Sequence, residues 1–217
     1  MSAAAGIKEF SNYLLYNFQD NPVNLYTRLR INVDFCDELK VNIYSFPMKY
    51  HPIRKGEQDE KDLSHTRDYV GRNWNLKYVR AVQVILNSTK GMVGKGKSFF
   101  LEAFGSDEEE YIELLEMPEV FILYRFFFKW LDEQGLRGSE HWRKTWQKCK
   151  KELPTEEWCE LESIIHNNDF KALNLENLHN PLSHELLSFY KISRKDISDE
   201  TGLLYSLKKE YDLASKQ

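Results

Sequence analysis

Across residues 13–53 the apolar positions run first as a continuous block, then at every third or fourth place, then as a block again. Residues 13–18 are apolar and aromatic and stop at Gln19, Asp20, Asn21 and Pro22, the way a buried strand gives onto a turn. Asn21 is placed to cap the free N–H groups of a helix, and Pro22 suits its first position, where no donor is needed. From Pro22 to about Lys40 the residues Tyr26, Leu29, Val33, Cys36 and Leu39 recur at helical spacing and predict one buried face, with Arg28, Arg30, Asp34, Asp37 and Glu38 mostly on the other. Residues 41–48 return to a strand pattern closed by Pro47, with His51 and Pro52 marking a turn. Strand, helix and strand of these lengths are most simply a parallel pair joined by a right-handed crossover.

Beyond that point the strand period is lost. Residues 54–72 form a charged loop, mixing both signs around Gly56. Asn73 or Asn75 can cap a helix carrying Leu76, Val79, Val82 and Leu86 on one side and ending at Gly91. A short helix over residues 98–104 ends at Gly105, and Ser106 with Glu109 reads as a capping box for the next. Pro118 opens an aromatic helix holding Phe121, Phe127, Phe128 and Leu131. Ser139 and Thr155 start two more, with Trp142, Trp146 and Cys149 on one stripe of the first and Trp158, Leu161, Ile164 and Ile165 along the second. Weaker helices follow over residues 183–190 and 199–213. The expected organisation is an α/β fragment over residues 1–53, the charged loop over 54–72, and a mostly α-helical domain over 73–217.

Composition narrows the classes. The chain has 217 residues and a formal charge of −4, which argues against a general nucleic-acid binder. Its most apolar run, residues 120–131, is too short for a membrane span and contains Arg125 and Lys129. Three scattered cysteines make no disulfide framework and residues 1–10 do not resemble a signal peptide, so a reducing cytoplasm is the expected setting.

The run YLLYNFQDNPVNLYTRL followed by IYSFPMKYHP resembles the later strand–helix–strand part of radical S-adenosylmethionine enzymes, and the likeness extends through HTRDYVGRNWNLKYVRAVQVILNSTKG and SFFLEAFGSDEEEYIELLEMPE. It implies a segment of a partial TIM-like barrel that holds S-adenosylmethionine at the C-terminal ends of its strands. By resemblance, Asn17, Phe18 and Asp20 lie on the cofactor side, and Ser45, Phe46, Pro47, Met48 and Tyr50 line a substrate wall with Arg67, Arg72, Trp74 and Arg80. None of these is expected to be catalytic, because the cluster and cofactor carry that chemistry. The family's 4Fe–4S cluster needs CxxxCxxC, whereas this chain has Cys36, Cys149 and Cys159, no two of them close in sequence. The resemblance therefore implies that the cluster-bearing half lies outside this chain, which alone would bind neither cluster nor cofactor. An exposed sheet edge would then be covered by a protein partner or a second copy.

Two other functions stay open. Residues 91–98, GMVGKGKS, match the phosphate-loop pattern GxxxxGK[ST] through Gly91, Gly96, Lys97 and Ser98. That chemistry needs a strand feeding the loop, and the residues before Gly91 read as a helix, so a helix-to-helix linker is the competing reading. The helical region, rich in tryptophan, could instead be a protein-interaction module. Basic residues among aromatics at Arg67, Tyr69, Arg72, Trp74, Lys77, Tyr78 and Arg80 could hold a phosphate or carboxylate, or could cover apolar surface with arginine stems. The six histidines show no metal-ligand spacing.

Overall fold

Strand β1 (Glu9–Tyr16), helix α1 (Pro22–Leu39) and strand β2 (Asn42–Lys49) follow one another as the apolar spacing predicts, and β1 pairs parallel to β2. They belong to a computed structural model that describes residues 6–52, 69–94, 96–171 and 178–216. The fold is mostly helical, with this small two-stranded sheet at its start. The expected charged loop falls largely outside the described residues, as does Arg67.

Asn21 caps α1 as expected. Its side chain accepts the Asn24 N–H at 2.9 Å, while the Asn24 side chain accepts the Asn21 N–H at 3.1 Å. Tyr26, Leu29, Val33 and Cys36 are buried, but Leu39 is exposed, because at helical spacing it lies in line with the exposed Ile31 and Phe35 and not with the buried face. Strand β1 begins four residues earlier than the apolar run suggested, since Glu9 already pairs with Asn42. It ends at Tyr16 because Asn17 takes a left-handed conformation, φ 68°.

Helices α2 (Leu76–Ser88), α3 (Lys97–Phe104) and α4 (Glu108–Glu116) join the sheet in one compact unit, Met1–Glu116. The chain thus divides at residue 116, after three of the helices grouped by sequence with residues 73–217. In this unit α1 packs against both strands, α3 and α4, and α2 packs against α4. Tyr26 is central: its ring lies 5.2 Å from Tyr111 and 5.4 Å from Phe100, and its hydroxyl donates to the Gly105 carbonyl at 3.1 Å. The cap of α4 sits one residue later than the pattern suggested. The Asp107 carboxylate accepts the Glu110 N–H, and Ser106 donates through both its N–H and its hydroxyl to Glu110.

The second unit, Met117–Gln217, is built from α5 (Glu119–Leu123), α6 (Arg125–Glu133), α7 (Ser139–Glu152), α8 (Thr155–His166), α9 (Pro181–Tyr190), α10 (Arg194–Ser198) and α11 (Leu203–Ala214). The single aromatic helix expected after Pro118 is broken at Tyr124 into α5 and α6. The break lets Phe121 stack on Phe128 with ring centroids 3.8 Å apart. Trp142, Cys149, Leu161, Ile165, Leu186 and Phe189 complete this core. Helix α11 contributes no fully buried residue and rests on α6 through Tyr211, which meets Phe127 and Trp130.

Candidate functional site

In parallel sheets ligands gather at the carboxyl ends of the strands, and at that end of β1 and β2 segments distant in sequence meet. Asn17, fully buried, donates from its amide to the carbonyls of Tyr69 (3.0 Å) and Tyr50 (3.5 Å) and accepts the Gly71 N–H (2.8 Å). Gly71 lies so close that a Cβ there would stand 2.7 Å from the Phe18 carbonyl oxygen. Asp20 accepts the Phe18 N–H at 3.0 Å and the Trp74 indole N–H at 3.3 Å, and it is paired with Arg28. Asn73 adds a bond to the Gln19 carbonyl. Residues 69–75 are thereby fastened across the strand ends.

This geometry separates the residues expected on the cofactor side. The side chains of Asn17 and Asp20 are used in internal bonds, while Phe18 is exposed with its ring 4.5 Å from Tyr50, which in turn meets Tyr69 edge-on at 5.5 Å. Trp74 is buried beneath them, 5.4 Å from Tyr16, and Arg72 and Arg80 are exposed. Burial pushes the Tyr16 phenol well above its ordinary range, so it stays neutral.

Strand alternation divides the expected substrate wall as well. The Ser45 hydroxyl accepts from the Asn32 amide of α1 at 2.9 Å, so Ser45 faces the helix, and Pro47, two residues on, shares its side. Phe46 and Met48 lie on the opposite, open face. There they join Tyr13, which is 74% exposed with its ring 5.7 Å from Phe46, and Leu15. Tyr13 and Leu15, which the sequence pattern does not single out, share this face. Residues 13–16 are apolar or aromatic at every position, so the sequence carries no period-two signal for the alternate exposure that β1 shows.

The two sheet edges differ. The Asn42 N–H donates to the Lys8 carbonyl and the Tyr50 N–H to the Tyr16 carbonyl, each at 2.8 Å, so even-numbered residues point their backbone groups across the ladder and odd-numbered ones point outward. On β2 the outward groups are covered. Ile43 donates to the Cys36 thiol sulfur at 3.2 Å, Ser45 exchanges two 2.8 Å bonds with Val93, and Pro47 has no N–H to offer. On β1, Arg28 donates to the outward Leu15 carbonyl at 2.9 Å, and no described strand pairs with Glu9, Ser11 or Tyr13 on that side.

The glycine-rich loop takes part in this sealing. Helix α2, not a strand, feeds it. Within the pattern, Gly91 donates its N–H to the Leu86 carbonyl at 2.7 Å and Val93 donates to Ser45, so two amides that a phosphate would need are already bonded. Gly94 is flattened against the Tyr44 ring, and Gly96 at φ 121° leads into α3. Lys97 opens α3 with its ammonium 3.9 Å from Asp34, and Ser98 is exposed beside it.

Among the described residues no three His, Cys, Asp or Glu side chains gather to hold a metal, and no helix is long and apolar enough to cross a membrane. Cys36 and Cys149 are buried and Cys159 is exposed. Burial pushes the Cys149 thiol up to about 12, and its Sγ is directed at the Leu182 carbonyl, which favours the protonated thiol over the thiolate. These cysteines do not fit an iron–sulfur cluster, and what the sheet offers a cofactor is an apolar face. No family model, curated protein or solved structure matches the chain.

Proposed function

We propose that this chain is the closing part of a radical S-adenosylmethionine-like partial barrel, contributing wall rather than chemistry. The observation that carries the reading is the asymmetry of the sheet. Among the described residues one face is covered by α1 and the other is apolar and less covered, with Tyr13, Leu15 and Met48 exposed and Phe46 half-buried, although parallel strands are stable with both faces covered. On this reading β2, whose outer edge is bonded to Val93 and Cys36, is the last strand, and the remaining strands join at β1. Tyr13, Phe46 and Met48 then face the barrel interior, with Phe18 and Tyr50 at the end where S-adenosylmethionine is held. The cluster and the cofactor's adenosine and methionine groups are bound by the other part, on the same polypeptide or on another. When bound they supply the radical chemistry, and this chain excludes water and shapes the substrate space.

The test is anaerobic purification with iron and sulfide, with and without a CxxxCxxC protein encoded beside this one. Iron and visible absorbance in a co-purified pair, with loss of S-adenosylmethionine cleavage in Phe46→Glu, are the expected results. A pair that forms without iron, or one whose cleavage is indifferent to Phe46→Glu, would overturn the reading.

A further inference from the structure

Helix α11 is held differently from the helices around it. Helices α7, α8 and α9 each bury several side chains, and even the five-residue α10 buries Ile197, whereas no residue of α11 is buried. Its polar side chains turn back on their own segment. The Lys208 ammonium meets both Asp212 carboxylate oxygens, at 2.6 and 2.7 Å, and lies 5.3 Å from the Tyr211 ring centre. Lys209 sits 4.5 Å from the Tyr205 ring centre, and the Tyr205 hydroxyl donates to Glu200 at 3.4 Å. Among the described residues, no hydrogen bond or ion pair joins α11 to a residue before Glu200.

What seats α11 is one side chain on a shaped surface. Phe127 and Trp130, one turn apart on α6, stand with ring centres 6.3 Å apart and 21° from parallel. Tyr211 meets each of them at 5.9 Å and 58°, a spacing that aromatic pairs favour. The phenol is a single knob laid across two aligned rings. Leu203 and Leu213, near the ends of α11, stay 74% and 67% exposed, so the grip is local. We propose that the Phe127–Trp130 pair is a helix-binding site and that α11 is its occupant, held in cis as a releasable strap. Ile197 keeps α10 anchored when α11 leaves, and the turn over residues 199–202, shaped by Asp199 accepting from the Thr201 N–H and hydroxyl, is the hinge. Both helices belong to the second unit, so this does not depend on the barrel reading. A free helix of 12 residues is marginal in water, so release is a local unfolding event that bares the two rings.

Hydrogen exchange on the full chain under native conditions is expected to find α11 amides exchanging about tenfold or more faster than those of α7. A labelled peptide of residues 199–216 is the binding probe. In the parent chain the tethered α11 competes at high effective concentration and shuts the peptide out. Tyr211→Ala in the full chain removes the knob but leaves the α6 rings in place, and should take up the peptide about tenfold more tightly than the parent. Adding Trp130→Ala to that variant should abolish uptake, whereas adding Phe126→Ala, at an exposed position on α6, should not. A peptide that itself carries Tyr211→Ala should fail to bind, a comparison that leaves the protein's fold untouched. Exchange of α11 in step with α7, a Tyr211→Ala chain that takes up no peptide, or a Tyr211→Ala peptide that binds as well as the parent sequence would each overturn the proposal.

Discussion

Asn17 does two things that no other residue type does together: it holds φ at 68° and it satisfies two carbonyls and one N–H from residues 50–71. Asn17→Ala leaves those backbone groups unpaired under residues 69–75 and adds left-handed strain, so it should cost about 2–4 kcal/mol in denaturant unfolding. Asn17→Gly keeps the backbone free of strain and should be milder by about 1 kcal/mol. If the two variants proved equally stable, the strain half of this account would be wrong. Cysteine reactivity gives a second check at this scale. Cys159 alone is exposed, Cys36 is held against Ile43, and Cys149 is buried with its thiol pushed up to about 12. Titration with a thiol reagent at pH 8 should therefore find one fast group in the native protein and three after denaturation. Asn17, Phe18 and Asp20 were grouped by the family resemblance alone, the residue pattern itself showing only that a strand gives onto a turn there. Their roles were not legible, because every side-chain partner of Asn17, and Trp74 among those of Asp20, lies more than thirty residues away and hydrogen-bond satisfaction leaves no mark on sequence period. Lys77, read among the basic residues, is buried, which spacing alone does not reveal.

At the level of elements, strand–helix–strand was readable because each step of the chain agrees with the next: a turn after the strand, Asn21 and Pro22 at the helix start, and an i, i+3, i+4 apolar face. Glycine-rich residues 91–98 show the opposite case. The letters match a phosphate loop, but Val93 is bonded to β2 and the feeding element is a helix. Calorimetric titration with Mg-ATP or Mg-GTP is expected to give no heat of binding, and Lys97→Ala no change; saturable binding lost in Lys97→Ala would reverse this. In the second unit Glu157 joins α8 to the start of α9. Partial burial works against its charge, but the Ser183 hydroxyl at 2.7 Å and the backbone N–H groups at Asn180 and His179 outweigh it and hold the carboxyl below its ordinary value. A depressed carboxyl stabilises the fold above its unfolded pKa, and that contribution fades as pH falls below about 4.5 toward the lower folded value. Urea midpoints should therefore drop between pH 6 and pH 3, and Glu157→Gln should be less stable than the parent at pH 6 while approaching it at pH 3.

For the whole molecule the consequence concerns which part can stand alone. Met117–Gln217 has its own aromatic core, with Phe121, Phe127, Phe128, Trp142 and Phe189 each almost wholly buried, and its exposed apolar residues are dispersed, Phe126 on α6, Leu136 in the turn after it, and Leu203 and Leu213 near the two ends of α11. Scattered apolar exposure of that kind is ordinary for a monomer. Met1–Glu116 differs. It also has a core, around Tyr26, Phe100, Phe104 and Tyr111, but among the described residues it leaves a strand edge unpaired and exposes Tyr13, Leu15 and Met48 on the sheet together with the Ile31–Phe35–Leu39 row. An open edge flanked by apolar surface templates association with other chains. Residues 117–217 expressed alone should therefore be monomeric by light scattering and melt in a single cooperative step. Residues 1–116 expressed alone should self-associate, and Ser11→Pro combined with Phe35→Glu should raise their solubility by blocking the edge and charging the row. A strictly monomeric 1–116 fragment would mean that the edge needs no cover, removing the physical reason for a partner at β1. An aggregating 117–217 fragment would mean that the aromatic core described for the second unit is not sufficient to hold it.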